Sequence, residues 1–152
     1  GKLMSIFLGG TGSANELEDY EEGTWTPAFK ATSGGTSATN VNAASYTKVG
    51  NQVFVQCYID VSSNTNSTGG NWAITGLPFS AQSTNRYFPI NVGYWNSLAA
   101  DITYLTGTVQ PNTTEVLMRG ASGSAAQSSN LSYSSFVQTG SGIIFSATYL
   151  TA

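Results

Sequence analysis

Carboxylates are the side chains of this sequence that could do acid–base chemistry, and five of the eight are crowded together. Glu16, Glu18, Asp19, Glu21 and Glu22 fall within the segment NELEDYEEGTWTP. Such crowding allows three explanations, which are a catalytic carboxylate pair, a cation site and a junction between two parts of the chain. The run lacks the alternating aspartates of a calcium loop, and no base lies near it. We interpret it as a solvated junction whose carboxylates repel one another and point outward.

Few other side chains are available for catalysis. The chain contains no histidine, which excludes Ser-His-Asp and Cys-His nucleophiles and HExxH zinc sites. The single cysteine, Cys57, excludes an intrachain disulfide, and its alternating apolar surroundings predict a buried thiol. Asp60, Asp101 and Glu115 could supply a glycosidase pair, but polar positions on strands and turns explain them equally well. We predict that the protein is not an enzyme and has no catalytic residues, metal site or cofactor.

The distribution of charge excludes two classes of partner. The five basic residues are spread singly along the chain and form no stripe that could neutralise phosphates, so we predict no nucleic-acid binding. The apolar segment LMSIFLGG near the start is too short to span a bilayer, so we predict no membrane insertion.

Short polar residues and strand-like alternation predict an all-β protein. The chain has 20 Ser, 19 Thr and 12 Asn residues, which suit strands and turns better than helices. In QVFVQCYIDV, Val53 to Val61 alternate as a core face, while Phe54 and Tyr58 alternate with Gln on the other face. Two large aromatic residues on a face that should meet water make Phe54 and Tyr58 candidate residues of a subunit interface.

About nine short strands with Gly/Asn/Ser turns predict an antiparallel β-sandwich of the jelly-roll type. Gly50-Asn51 predicts a tight hairpin turn. Residues 14–19 form the one plausible helical turn, and we place a connector at 1–23 and the head domain at 24–152. The predicted strands are Thr24–Phe29, Ser45–Val49, Gln52–Val61, Asn71–Thr75, Arg86–Tyr94, Asp101–Gln110, Glu115–Arg119, Ser134–Gln138 and Gly142–Leu150.

Exposed aromatic residues on a neutral surface are suited to carbohydrate. Sugar C–H faces stack on Trp and Tyr, and sugar hydroxyls bond to Asn, Gln and Ser. The segment NVGYWNS is the best local candidate, although Trp95 alone is also explained as a cap on the core. Trp25 and Trp72 are interpreted as structural. The predicted glycan-binding residues are Tyr94, Trp95, Asn96 and Tyr133.

Four segments carry a resemblance to a known group of proteins. They are LGGTGSANELEDYEEGTWTPAF, YTKVGNQVFVQCYIDV, NWAITGLPF and GIIFSATYLTA. In this order they resemble the C-terminal receptor-binding or trimerisation domain of bacteriophage tail fibre and tailspike proteins, and the match is weak between Arg86 and Gln138.

The resemblance implies a homotrimer of β-sandwich heads at the distal end of a virion fibre. Such heads contact host surface glycan, such as lipopolysaccharide or capsule, on the extracellular side of the virion tail. It also implies that the acidic junction belongs to the architecture. A structural cap that trimerises a fibre or spike without a ligand of its own is the alternative, and a glycan hydrolase using Asp or Glu is the third.

Overall fold

The structure is a computed structural model. It describes the backbone of Ile6–Phe7 and Glu16–Leu17, and all of residues 19–65, 69–83 and 85–152. Most of the predicted connector at 1–23, together with the side chains of Glu16 and Glu18, lies outside the described residues.

Strands make up nearly all of the regular structure in the described residues, and helix is limited there to one short element. The helical turn predicted at 14–19 is wrong at Glu16–Leu17, because these residues pair antiparallel with Ile6–Phe7. The elements are β1 (Ile6–Phe7), β2 (Glu16–Leu17), β3 (Tyr20–Thr24), β4 (Ala28–Ala31), β5 (Ala38–Val49), β6 (Gln52–Ser63), β7 (Trp72–Thr75), β8 (Phe88–Asn96), β9 (Tyr104–Val109), β10 (Glu115–Ala121), β11 (Ser129–Asn130), α1 (Tyr133–Phe136) and β12 (Gly142–Leu150).

Ten of the described strands form one antiparallel sheet that curls strongly, as a half-barrel does. Its order is β3-β5-β6-β12-β8-β9-β10-β7-β4, with β11 attached to β10. Strand β8 joins the two halves, because Ile90–Asn96 pair with β12 while Phe88 and Pro89 pair with β9. The all-β antiparallel class is therefore confirmed. The strands form one continuous sheet, so the two stacked sheets of a sandwich are not confirmed and stay a prediction.

The inward side of the curl holds the core. Val53, Val55, Cys57, Ile59 and Val61 of β6 are all buried, which confirms the core face predicted from their alternation. The predicted hairpin is also confirmed, since the turn that joins β5 to β6 lies between the last pair, Val49 and Gln52, and Gly50 takes a φ of 58° there.

Aromatic contacts tie the core together, and two tryptophans take part as predicted. Trp72 stacks on Phe29 with ring centroids 5.7 Å apart. Trp25 meets Phe145 of β12 edge-on at 6.4 Å, and its indole N–H donates to the backbone carbonyl of Gln56. Trp25 therefore anchors the segment that follows the acidic run to the centre of the sheet, and both residues are structural.

The segment predicted as a strand at Ser134–Gln138 is wrong. Tyr133–Phe136 form helix α1, and the N–H of Val137 donates to the carbonyl of Tyr133 at 2.9 Å. The reason is visible in the burial, because Tyr133 and Val137 both face the core at a spacing of four, which is helical rather than alternating.

The junction between connector and head lies inside the sheet. Strand β3 pairs along β5 from Tyr20 opposite Val49 to Thr24 opposite Ser45. Tyr20 to Gly23, the end of the predicted connector, are thus held by sheet hydrogen bonds. That residues 1–23 act as a connector stays a prediction.

Candidate functional site

Strands β6, β12 and β8 present large apolar side chains on the outer side of the sheet. Tyr58 lies opposite Ile144, and Ile144 lies opposite Tyr94, so the three form one row across three strands. Phe54 lies on the same side of β6, 46% exposed. We call Phe54, Tyr58, Tyr94 and Ile144 the aromatic face. The prediction that Phe54 and Tyr58 face outward is confirmed, and the structure adds Tyr94 and Ile144 to them.

The outward residues between the members of the aromatic face are uncharged on β6 and β12. On β6 this uncharged stretch runs from Gln52 to Tyr58. The nearest carboxylate on β6 is Asp60, which accepts hydrogen bonds from the side-chain amides of Asn40 and Asn42 at 2.9 and 2.8 Å. Depletion of charge around aromatic residues is the compositional signal of a protein interface.

One end of the aromatic face is polar. Gly142 lies between Asp60 and Asn96 in the strand register. A Cβ at Gly142 would come within 2.3 Å of Asn96 Oδ1, so the glycine leaves room for the Asn96 amide. Asn96 in turn donates to Ser97 Oγ at 3.2 Å. A carboxylate and an amide thus flank a residue without a side chain, next to Tyr58 and Tyr94.

The predicted glycan residues of β8 do not form one platform. Tyr94 is exposed on the outer side, whereas Trp95 lies opposite the buried Ile143 and packs, half-buried, against the core. Asn96 is half-buried on the outer side. The structure therefore brings Tyr94 and Asn96 to one face and places Trp95 on the other, where it caps the core.

The prediction that Tyr133 contacts a glycan is corrected. Its side chain is fully buried, and its hydroxyl group hydrogen-bonds Ser37 and lies 3.5 Å from Asn64 Oδ1. The Asn64 amide donates in turn to the carbonyl of Val137 at 2.9 Å. Burial raises the pKa of Tyr133, while the bond to Ser37 acts against that rise. Tyr133 is a core residue whose hydroxyl group lies between Ser37 and Asn64.

Three carboxylates of the acidic run have partners on β5 and β3 that the sequence did not reveal. Asp19 pairs with Lys48, whose buried ammonium also lies 5.6 Å from the ring centroid of Phe79. Glu21 accepts a hydrogen bond from Tyr46, which raises the pKa of that hydroxyl. Glu22 accepts one from Tyr20 at 2.9 Å. These carboxylates are exposed, as predicted, and Asp19 and Glu21 also fasten the junction to β5.

The remaining carboxylates are far apart in the strand order. Asp60 lies on β6 and Glu115 on β10, with β12, β8 and β9 between them. Glu115 pairs with Lys30, and Asp101 is exposed in the loop between β8 and β9. Within the described residues, no three His, Cys, Asp or Glu side chains form a group that could hold a metal ion. The same residues contain no helix long and apolar enough to cross a bilayer.

A groove on the outer side of the other half of the sheet was not predicted. It has a volume of about 370 Å³. We call it the Tyr87 groove, and its walls are Tyr87, Thr108, Gln110, Leu117, Arg119 and Asn130. Sequence reasoning missed it because the register of β9, β10 and β11 brings together residues that are distant in sequence.

Comparison with known proteins finds a similar fold in a solved structure. No family model matches the sequence, and no curated protein matches it. Among solved structures, the chain is similar to the Dettilon tailspike protein (gp208), with a TM-score of 0.70 and 20% sequence identity. The chain shares its fold with a part of that tailspike. The match covers 86% of this chain and 23% of the tailspike chain, so it concerns a minor part of that protein.

Proposed function

We propose that this chain is the distal, receptor-binding head of a bacteriophage tailspike or tail fibre. In this proposal it assembles as a homotrimer on the virion tail and binds a host surface glycan on the extracellular side. The fold shared with a part of the Dettilon tailspike carries the proposal. The order of the four sequence segments supports the same group independently.

The aromatic face supports assembly through β6, β12 and β8. Phe54, Tyr58, Tyr94 and Ile144 are all exposed in the single chain, and an isolated chain would leave their apolar surface in water. Stable interfaces bury such residues in a centre depleted of charge and place polar groups at the rim. Asp60 and Asn96 lie at the end of the face, where that rim would be.

Glycan binding at Tyr94, Trp95 and Asn96 stays a prediction, and the register gives Tyr94 a second possible role. Because Tyr94 shares a row with Tyr58 and Ile144, a trimer that buries the aromatic face also buries Tyr94. Tyr94→Ser distinguishes the roles. An interface residue loses assembly on substitution, whereas a glycan residue loses binding while the trimer persists.

The proposal assigns no catalytic step to this chain. A glycosidase places its two carboxylates across one glycosidic bond, within about 10 Å of each other. Asp60 is held by two amides on β6, and Glu115 is paired with Lys30 on β10. Release of reducing sugar by the purified chain, lost in Asp60→Asn or Asp101→Asn, would overturn this part of the proposal.

A glycan array probed with the purified chain tests receptor binding. The proposal predicts binding to at least one bacterial surface saccharide by the trimer. A trimer that binds none would instead support the alternative, a trimerisation cap without a ligand of its own. Molar mass measured on the same sample shows whether the protein applied to the array is the trimer.

A further inference from the structure

We propose that the Tyr87 groove binds a carboxylate-bearing saccharide, with Arg119 on the carboxylate and Tyr87 against a sugar ring. This inference rests on the proposed function, because it assumes that the chain binds a surface glycan. It adds the place of binding and the chemical class of the sugar.

Arg119 supplies a cation that no carboxylate of the described chain neutralises. The ion pairs of the described residues join Lys30 to Glu115 and Lys48 to Asp19, and neither involves an arginine. Arg119 instead donates to Asn130 Oδ1 at 2.7 Å and to the carbonyl of Ser128 at 3.3 Å. A guanidinium has five N–H groups, so these two bonds position it and leave donors for a ligand. Its planar fork matches a carboxylate in a bidentate pair.

The other walls of the groove have the chemistry that a sugar requires. Tyr87 is 59% exposed, and its ring offers an apolar surface with a hydroxyl at its edge. Gln110 donates its amide N–H groups to the carbonyl and hydroxyl oxygens of Thr108, at 3.0 and 2.8 Å. The amide oxygen of Gln110 accepts no hydrogen bond from the described residues and is a fixed acceptor for a sugar hydroxyl. Leu117 adds apolar surface between them.

The charge of the groove favours a carboxylate over a more highly charged group. Arg119 is the one charged residue among its walls, whereas phosphate sites usually combine several donors from cations and helix N-termini. A neighbouring groove of about 350 Å³ lies between Tyr104 and the loop after β10, and its walls carry no charged side chain. Because the chain has a net charge of −3, attraction of an anion must be local to Arg119.

An array of matched saccharides tests the inference. The probes are oligosaccharides containing hexuronic or sialic acid, each printed beside its carboxyl-reduced form, together with phosphorylated and neutral saccharides. We expect the chain to bind a carboxylated probe. Carboxyl reduction, Arg119→Gln and Tyr87→Ser should each weaken that binding by about 10-fold or more, because each removes a charge-assisted pair or the stacking surface.

The chain offers a matched control for the loss of charge. Arg86 is exposed next to Tyr87 but does not line the groove, so Arg86→Gln makes the same charge change and should leave binding unchanged. Arg119→Gln also removes two hydrogen bonds to the segment 128–130. The melting temperature of each variant reports whether the loss of these bonds destabilises the fold. Tyr87→Ser breaks no hydrogen bond of that segment and tests the groove independently.

Three results would overturn the inference. The first is binding that survives carboxyl reduction, and the second is wild-type affinity in both Arg119→Gln and Tyr87→Ser. The third is a phosphorylated probe bound in preference to every carboxylated one. A neutral glycan bound equally by all variants contradicts the groove and leaves the proposed function standing. An intact trimer that binds no probe contradicts both.

Discussion

At the residue scale, burial determines the roles of Cys57 and Tyr133. Cys57 is fully buried on β6, and loss of water around its thiol raises the pKa to about 12. Tyr133 is fully buried as well, and its hydroxyl group is satisfied by Ser37. Both residues are therefore structural, although both belong to types that often do chemistry.

Cys57 predicts a loss of stability at alkaline pH. Its ordinary pKa is near 9, so the thiol ionises in the unfolded chain above that pH while it stays neutral in the folded chain up to about 12. The contribution is fully present below pH 9 and is lost as pH rises from 9 to 12, at up to about 1.4 kcal/mol per pH unit. Urea unfolding at pH 8, 9 and 10 measures it.

The variant Cys57→Ala is the control for that titration. Between pH 9 and 10 its free energy of unfolding should fall by less than that of the wild type. Tyr149, whose pKa burial raises to about 12 from an ordinary value of 10, ionises only in part in the unfolded chain in this window, and it contributes equally to both proteins. Parallel pH dependences of the two proteins in this window would show that the thiol is not the titrating group.

Tyr133→Phe should lower the free energy of unfolding by about 0.5–1.5 kcal/mol, because it removes one of the two hydrogen bonds of the buried Ser37 hydroxyl, which keeps its bond to Asn64. Tyr104→Phe is the matched control, since Tyr104 is 58% exposed and should change stability by less than about 0.5 kcal/mol. Chemical denaturation of both variants makes the comparison. Equal effects would contradict the structural role of Tyr133.

At the element scale, close packing between strands determines which glycines can be replaced. Gly120 of β10 lies against β9, and a Cβ there would come within 2.7 Å of the Tyr104 carbonyl oxygen and 2.3 Å of Ile102 Cδ1. Gly93 of β8 lies at the irregularity in the pairing with β12, and a Cβ there would meet nothing within 4 Å.

Gly120→Ala should therefore destabilise the protein by about 1–3 kcal/mol, because the added methyl group must displace backbone. Gly93→Ala should stay within about 0.5 kcal/mol of the wild type. Thermal unfolding of the pair tests this. A Gly120→Ala variant as stable as Gly93→Ala would contradict the described contact of β10 with β9.

The sequence predicted elements where one face is buried without interruption. Alternation identified β6 and its hairpin with β5, because every second side chain enters the core. Helix α1 was missed because a four-residue turn in a Ser-rich segment carries too little periodicity to distinguish it from a strand. The predicted strand Arg86–Tyr94 agrees only in part with β8, which runs from Phe88 to Asn96. The pairing of β8 with β12 shifts register between Tyr94 and Val92, and this shift interrupts the alternation of its side chains.

The sequence predicted the candidate sites less completely than the strands, because a site depends on which strands pair and in which register. Tyr94 was predicted from its position beside Trp95, yet the structure pairs it with Ile144 and Tyr58 on the aromatic face. The Tyr87 groove combines residues from four separate segments. No local pattern encodes such a combination, because it arises only when the strand order brings those segments together.

At the scale of the whole molecule, the aromatic face is an exposed apolar surface of the single chain. The four residues of this face lie on neighbouring strands whose outward residues between them are uncharged, and Asp60 lies at one end. We propose a second and a third copy of this chain as the partners, since a closed cyclic assembly repeats one interface between neighbouring copies and so gives the face of every copy the same surroundings.

Phe54→Ser should weaken assembly more than folding, because 46% of Phe54 stays exposed in the single chain and is available to an interface. Tyr104→Ser removes a still more exposed aromatic residue, at 58%, from the other half of the sheet and should leave assembly unchanged. Dilution series followed by light scattering measure the assembly of both variants. Equal losses of folding and assembly in Phe54→Ser would refute the interface.

The most direct test of a trimeric receptor-binding head is the molar mass of the purified wild-type chain at micromolar concentration. Light scattering should give three times the 15.9 kDa of one chain. A mass equal to that of one chain would contradict the trimer, and with it the role proposed for the aromatic face.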